Sequence, residues 1–246
     1  MRKVLAFPFS VIHFFLMFTL LGIFHPIQVV AYTVFGYSAH KRAVDLLNFL
    51  LVQNLYTLLC RPSFYGFNEL PKNQPLIIVS NHQSMYDISP VVWGFRKHHT
   101  KFISKKELGK NLPSISYNLR KGGSVLIDRH NGSQSIREIL KLGKNMEERN
   151  WSVCIFPEGT RSKTGQLKEF QLAGFKTLLK AAPSALVVPL VIDGNYKLHK
   201  WGQFPLNIGL WLTYTALQPV ERIGKSDEEL LVEVKSSIQK QLEVRN

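Results

Sequence analysis

The chain has 246 residues, 45% of them hydrophobic, which allows one large core and excludes both a small disulfide scaffold and a disordered chain. Lys and Arg number 31 against 17 acids, and the net charge of +14 biases the molecule toward phosphate-bearing partners such as anionic lipid, phosphorylated substrates or nucleic acid. Two cysteines, Cys60 and Cys154, are too few for a disulfide framework; both are assigned to packing, in a reducing compartment.

After Arg2 and Lys3 there is no Lys, Arg, Asp or Glu until Lys41. Within that interval residues 4–24 are mostly apolar, enough to cross a hydrocarbon layer of ~30 Å. The run ends at Phe24-His25-Pro26 without a small-residue cleavage site, so it reads as a retained segment and not a secretory signal. Pro26 is expected to break it, leaving residues 27–37 as a returning or interfacial piece. Residues 42–60 then place Leu46, Leu47, Leu50, Leu51, Leu55, Leu58 and Leu59 at helical spacing, an amphipathic helix against membrane or core. Basic residues at both ends of the apolar interval fit a hairpin that returns to the cytoplasmic side. His13 is expected near the membrane interface.

From about residue 71 short β-rich runs alternate with helical ones, the pattern of an α/β fold. Strands are expected at residues 76–79, 101–104, 124–127, 152–156, 186–191 and 208–213. Helices are expected at 90–95, 136–148, 172–182 and 228–244, the last opened by a capping box of Ser226 and Glu229. The architecture predicted is α/β, a single mixed sheet flanked by helices over residues 61–246, with an N-terminal membrane-associated helical arm over residues 1–60.

Polar islands follow four of these strands. Asn81-His82-Gln83-Ser84-Met85-Tyr86-Asp87 contains a base and an acid five residues apart. On an ideal helix those side chains would diverge by about 140°, so a meeting requires a strand-to-helix turn. Two registers supply one: Ser89 as cap with Pro90 first in the helix, or Ser84 as cap with Asp87 at the third position. Phe156-Pro157-Glu158-Gly159-Thr160-Arg161 combines a fixed strand exit, a flexible glycine and a planar guanidinium suited to phosphate. Asp128-Arg129 and Lys105-Lys106 end two further strands. A set of unrelated turns explains four such ends poorly, whereas ligand sites of open α/β sheets lie at the carboxyl ends of their strands. Residues 95–144 add twelve Lys/Arg against three acids, an electropositive side.

Asn81-His82 with Asp87, Ser124 to Arg129, Phe156 to Arg161 and Val187-Val188-Pro189-Leu190 resemble, in order, the four motif blocks of the glycerolipid acyltransferases, in particular the 1-acyl-sn-glycerol-3-phosphate acyltransferases. The resemblance covers roughly residues 70–195. It implies that His82 is the general base for the acceptor hydroxyl and that Asp87 orients it. Glu158, Gly159, Thr160 and Arg161 would form the acceptor-binding block, with Arg161 on the phosphate and Lys105 and Arg129 assisting. It further implies lysophosphatidate as acceptor, acyl-CoA or acyl carrier protein as co-substrate, the bilayer as partner, and neither cofactor, metal nor nucleic acid. The active site would face the cytoplasm. Met85, Tyr86 and Ser116 depart from residues frequent in the family and bear on acyl-chain preference. His98, His99, His130 and His199 match no block and are assigned to surface or packing.

Other functions remain open at this level. Another lysolipid could be the acceptor; a membrane-anchored basic protein binding lipid or nucleic acid would explain the charge and the arm but not the strand-end motifs. A serine hydrolase lacks its Gly-x-Ser-x-Gly elbow.

Overall fold

The computed structural model describes residues 2–244. Its helices are α1 (Arg2–Gln53), α2 (Ile88–Gly94), α3 (Ile115–Lys121), α4 (Gly132–Arg149), α5 (Leu172–Ala181) and α6 (Asp227–Glu243). Its strands are β1 (Arg61–Tyr65), β2 (Leu76–Ser80), β3 (Thr100–Lys105), β4 (Val125–Ile127), β5 (Ser152–Ile155), β6 (Leu186–Asp193) and β7 (Trp211–Ala216). They make one sheet in the order β1-β7-β6-β2-β5-β3-β4, parallel at every pairing except β6 with β7. The sheet is therefore mixed and flanked by helices, as the alternation of runs predicts.

Central strands buried on both faces read as continuous apolar runs. In β2, Ile77 and Val79 face a core shared with α4, α5 and α6, while Leu76 and Ile78 face a second core that takes in α2, the start of α1, Leu55 and Leu58 just past it, and the stretch before β7. The parallel neighbours β2, β5, β3 and β4 place their carboxyl ends along one edge, and the polar islands sit there.

The arm differs from the sequence expectation. Pro26 does not break the helix; it lies inside α1, as does Pro8. The break falls at Gly36, whose φ of 79° and ψ of −170° suit glycine and few other residues. A proline removes one hydrogen bond and kinks a helix, whereas a positive φ turns the chain altogether. The limbs on either side of Gly36 pack back to back: Leu21 and Phe24 meet Leu47, and Tyr32 meets His40. This is the returning hairpin. The second limb ends at Gln53 and passes into a 3-10 turn, Asn54–Leu58, short of the expected residue 60.

The hairpin also packs on the α/β domain. Ala6, Phe9 and Phe14 join the second core, Arg2 donates to the Ile208 carbonyl and Ser10 Oγ exchanges hydrogen bonds with Leu206. Its outer side leaves Val4, Phe15, Phe18, Val34 and Phe35 exposed by more than 60%. An apolar face of that extent on a long helix suits a membrane, and α1 is long and apolar enough to cross one.

Strand and helix boundaries shift by one to four residues, and three differences have a local cause. Strand β1 is new: it is a half-exposed edge strand containing Pro62, with neither the alternation nor the apolar run that marks a strand. The strand expected at 208–213 starts at Trp211, because Gly209 takes a positive φ and its N–H goes to the Leu58 carbonyl. Helix α3 is short, and its Ser114 cap position is buried against the arm, with Oγ donating to the Leu21 carbonyl. Helix α6 carries the capping box of Ser226 and Glu229.

A buried polar cluster fastens the arm to the turn after β2. Tyr86 Oη lies 3.1 Å from His13 Nε2, and His13 Nδ1 lies 3.0 Å from the Asn54 carbonyl. His13 is thus buried within the protein between the two limbs of the arm and the turn after β2. Tyr86→Phe leaves His13 Nε2 without this partner. A loss of about 1–3 kcal/mol is expected, read as a lower thermal midpoint of the full chain in detergent; an unchanged midpoint would show that the cluster does not fasten the arm.

Candidate active site

The turn after β2 adopts the Ser84 register. Ser84 Oγ accepts from Tyr86 N at the head of a 3-10 turn, Met85–Asp87, and the Asp87 carboxylate reaches back to Ser84 N in a capping box. The alternative, with Pro90 first in the helix, does not form: α2 begins at Ile88. The capping box explains the spacing of base and acid. His82 precedes the cap, in irregular backbone, so its ring folds over the same carboxylate instead of pointing away along a helix.

Four donors converge on Asp87, which is wholly buried. His82 Nδ1 lies 2.7 Å from Oδ2, which also accepts from Gln83 N at 2.7 Å and Ser84 N at 2.9 Å. Oδ1 accepts from Asn195 Nδ2 at 2.6 Å. Asn195 is fixed in turn, since Tyr214 Oη donates to its Oδ1 at 2.9 Å, and both residues are fully buried. A carboxylate only accepts, so the Nδ1 position carries the imidazole proton and Nε2 keeps its lone pair. Nε2 has no hydrogen-bond partner among the described residues. Phe156 stacks on the ring at 4.1 Å between centroids and sets its plane.

The loop after β5 holds the backbone of His82 from the other side. Glu158 Oε1 accepts from His82 N at 2.8 Å, and Ser162 N donates to the His82 carbonyl at 2.7 Å. Glu158 Oε2 accepts from Lys168 N at 3.3 Å, and burial pushes this carboxyl above its usual range. Both oxygens of Glu158 are therefore engaged inside the protein, which makes it a brace for the histidine. Gly159 takes a φ of 69° in open space, so the turn and not crowding selects glycine there. Its carbonyl accepts from Arg129, which joins the β4 end to the β5 end. Lys168 Nζ donates to Thr160 Oγ1 at 3.0 Å and to the Arg161 carbonyl at 2.8 Å.

Three basic side chains line the exposed rim. Lys105 and Arg161 have no hydrogen bond or ion pair among the described residues, while the adjacent Lys106 is paired with Asp128. Asn81 does not point into the crevice: its amide bonds both the N–H and the carbonyl of Ile192, locking β2 to β6. His199, assigned to surface or packing, stands beside the crevice with Nε2 2.9 Å from Ser84 Oγ, and burial lowers its basicity. The structure thus brings His82, Asp87, Glu158, Gly159, Thr160, Arg161, Arg129 and Lys105 to one edge of the sheet. Sequence reasoning missed Asn195, Tyr214 and Lys168. Asn195 follows β6 and its Pro189-containing block, and a polar residue just past a fourth buried strand was the available signal.

Chemically, this arrangement can take a proton at Nε2 while the buried carboxylate holds the resulting cation, beside guanidinium and ammonium groups suited to an anion. The acyltransferase family model matches residues 61–193, just over half of the chain. A 1-acyl-sn-glycerol-3-phosphate acyltransferase of Helicobacter pylori is 39% identical over 130 residues, 51% of this chain and 54% of that protein. One of Cocos nucifera is 36% identical over 129 residues, 50% of this chain and 39% of that protein. The chain spans about half the length of the curated relatives it matches. The crystal structure of the 1-acyl-sn-glycerophosphate acyltransferase PlsC from Thermotoga maritima shares the fold with a TM-score of 0.81 at 23% identity, over 99% of this chain and 97% of that one. With its motif blocks inside the matched stretch and its elements in the same arrangement, the chain belongs to the acyltransferase family.

Proposed function

We propose that the protein is a membrane-associated 1-acyl-sn-glycerol-3-phosphate acyltransferase. It moves a fatty acyl group from a thioester donor, acyl-CoA or acyl carrier protein, to the sn-2 hydroxyl of lysophosphatidate and forms phosphatidate. The observation that carries this reading is the His82–Asp87 pair, its Nε2 unpartnered among the described residues, at the sheet edge where Lys105, Arg129 and Arg161 are exposed. Relatives named for the same reaction support it.

In this reading His82 Nε2 removes the hydroxyl proton as the oxygen attacks the thioester carbonyl. The carbon–sulfur bond then breaks, and the thiolate takes the proton from His82. The nucleophile belongs to the lipid, so no acyl-enzyme is needed. Asp87 holds the imidazolium, and Asn195 with Tyr214 holds Asp87. Arg161 binds the acceptor phosphate through its planar fork, with Lys105 and Arg129 beside it. Gly159 and Thr160 shape the loop that presents Arg161, and Glu158 positions His82 without touching the substrate. The reaction needs no cofactor and no metal. The apolar outer face of α1 seats the crevice at the cytoplasmic surface of a bilayer, where a single-chain acceptor resides, and nucleic acid has no part in it.

Membranes carrying the chain are expected to transfer acyl groups from acyl-CoA or acyl carrier protein to lysophosphatidate. His82→Ala should lower kcat by about 10²–10⁴-fold, the usual contribution of a positioned base; undiminished transfer would remove His82 from the mechanism. Equal rates with lysophospholipids that carry larger headgroups would move the acceptor to that class.

Arg161→Ala should raise the acceptor KM with little change in kcat, because it deletes a contact present in ground and transition states alike. An unchanged KM would refute its phosphate role.

Asn195→Ala should lower kcat about tenfold, equivalent to one lost hydrogen bond near 1.4 kcal/mol, with the acceptor KM unchanged. Tyr214→Phe, which leaves the Asn195–Asp87 bond in place, should show a smaller loss. If Asn195→Ala shifts KM and not kcat, the residue acts on binding and not on the orientation of Asp87.

A further inference from the structure

At the opposite end of β3 from the crevice, a cavity of about 30 Å³ lies between the second limb of α1, the end of α2 and the first residues of β3. Lys101 borders it, four residues before Lys105 in the same strand, so the cavity and the crevice are separated by roughly 13 Å along the strand. It takes no part in the chemistry proposed above.

Its lining contains polar atoms that the protein does not satisfy. His40 is 1% exposed, and among the described residues neither of its ring nitrogens has a partner. Thr100 Oγ1 and His99 Nδ1, which also belong to the lining, are buried and unpartnered in the same way. Buried polar groups are nearly always met by protein atoms or by a bound species.

The charge around the cavity is unbalanced. Lys41, Arg96 and Lys101 border it with a single carboxylate, Asp45, and that carboxylate is engaged by Lys41. Arg96 rests 4.1 Å from the Trp93 ring centroid and donates to the Trp93 carbonyl. Lys101 is 5% exposed, and its hydrogen bond goes to a neutral group, the Tyr37 hydroxyl at 2.5 Å, with the Trp151 ring 4.5 Å away. Burial and the neighbouring Lys41 push the Lys101 ammonium down to about 7, a measure of how poorly its charge is compensated. A buried cation whose nearby carboxylate is already engaged is costly, and an anion beside it offsets part of that cost.

Volume limits the occupant. A space of about 30 Å³ holds about two water-sized spheres, at roughly 10–15 Å³ each; an acyl chain or a larger metabolite does not fit. We propose that this cavity is a binding site for one small monovalent inorganic anion of halide size, held by Lys101, His40 and Thr100 at the junction of the arm and the domain. The anion bridges α1 and β3, so it stabilises the folded state in proportion to its occupancy.

The test uses the full chain in detergent, with sodium bromide or chloride exchanged against sodium gluconate, an anion too large for the cavity, at constant ionic strength. The thermal midpoint should rise with halide concentration and saturate, and should not rise with gluconate. Lys101→Met should abolish the shift, and Thr100→Val, which deletes one hydroxyl and no charge, should raise the half-saturating concentration. Lys144→Ala, an exposed cation on α4, should leave the halide response as it is. Crystals grown in bromide should give an anomalous peak between His40 and Lys101. Equal midpoints in all salts, a response that survives in both Lys101→Met and Thr100→Val, or ordered water alone in the cavity of the bromide crystals would each overturn the proposal. If Lys101→Met does not fold, Thr100→Val and the bromide peak decide it.

Discussion

The Asp87 carboxylate is the interaction on which the rest of the site depends. A carboxylate taken wholly out of water loses several kcal/mol of solvation unless polar partners replace the water. Here two backbone N–H groups, an asparagine amide and an imidazole replace it. Two of those donors belong to the turn that the carboxylate itself caps, so local folding of residues 84–87 and orientation of the histidine are one event. The other side of the carboxylate draws on Asn195 and Tyr214, from β6's exit and β7, and ties that event to closure of the sheet. A conservative Asp-to-Asn change would keep the volume but replace an acceptor with a donor facing three others.

Backbone support for His82 comes from a separate strand. Its N–H and carbonyl are both bound by the loop after β5, through Glu158 and Ser162. Strands β2 and β5 are parallel neighbours, so their carboxyl ends lie side by side, and the two loops brace each other without any long excursion. Arg129 extends the brace to β4 by bonding the Gly159 carbonyl. Of the acidic and basic residues at these strand ends, some are structural and some are free, and hydrogen bonding separates them: Glu158 is engaged at both oxygens, Arg129 at one nitrogen, Lys105 and Arg161 at none among the described residues.

Legibility from sequence followed range. Strands such as β2, β5 and β6 are apolar runs buried on both faces, and their polar exits mark the site, so His82, Asp87 and the loop from Phe156 to Arg161 were readable from local pattern. Asn195 and Tyr214 were not, because Asp87 lies 108 residues from Asn195 and Tyr214 reaches it only through Asn195; the position of Asn195 past β6 marks a strand end and not its partner. Strand β1, with Pro62 and half-exposed side chains, has no local signal and exists because β7 offers it an edge. In the arm, two helix breakers competed. Pro26 is the stronger breaker by propensity, but the apolar flanks keep the helix whole there, and the turn falls at the residue that alone takes a positive φ within α1.

The way these groups are engaged also constrains how charge is handled in the proposed reaction. Hydrolases built on a nucleophilic serine use backbone N–H groups next to the nucleophile to meet the developing oxyanion. Around His82 those groups are already engaged. His82 N goes to Glu158, Gln83 N and Ser84 N go to Asp87, Gly159 N closes a turn to Phe156, and Ser162 N goes to the His82 carbonyl. The same bonds that hold the base rigid therefore withdraw these five N–H groups from electrostatic catalysis. Among the described residues, the side chains of Lys105 and Arg161 and the second guanidinium nitrogen of Arg129 are unengaged on the rim. An acceptor that brings its own phosphate brings the counter-charge for these groups.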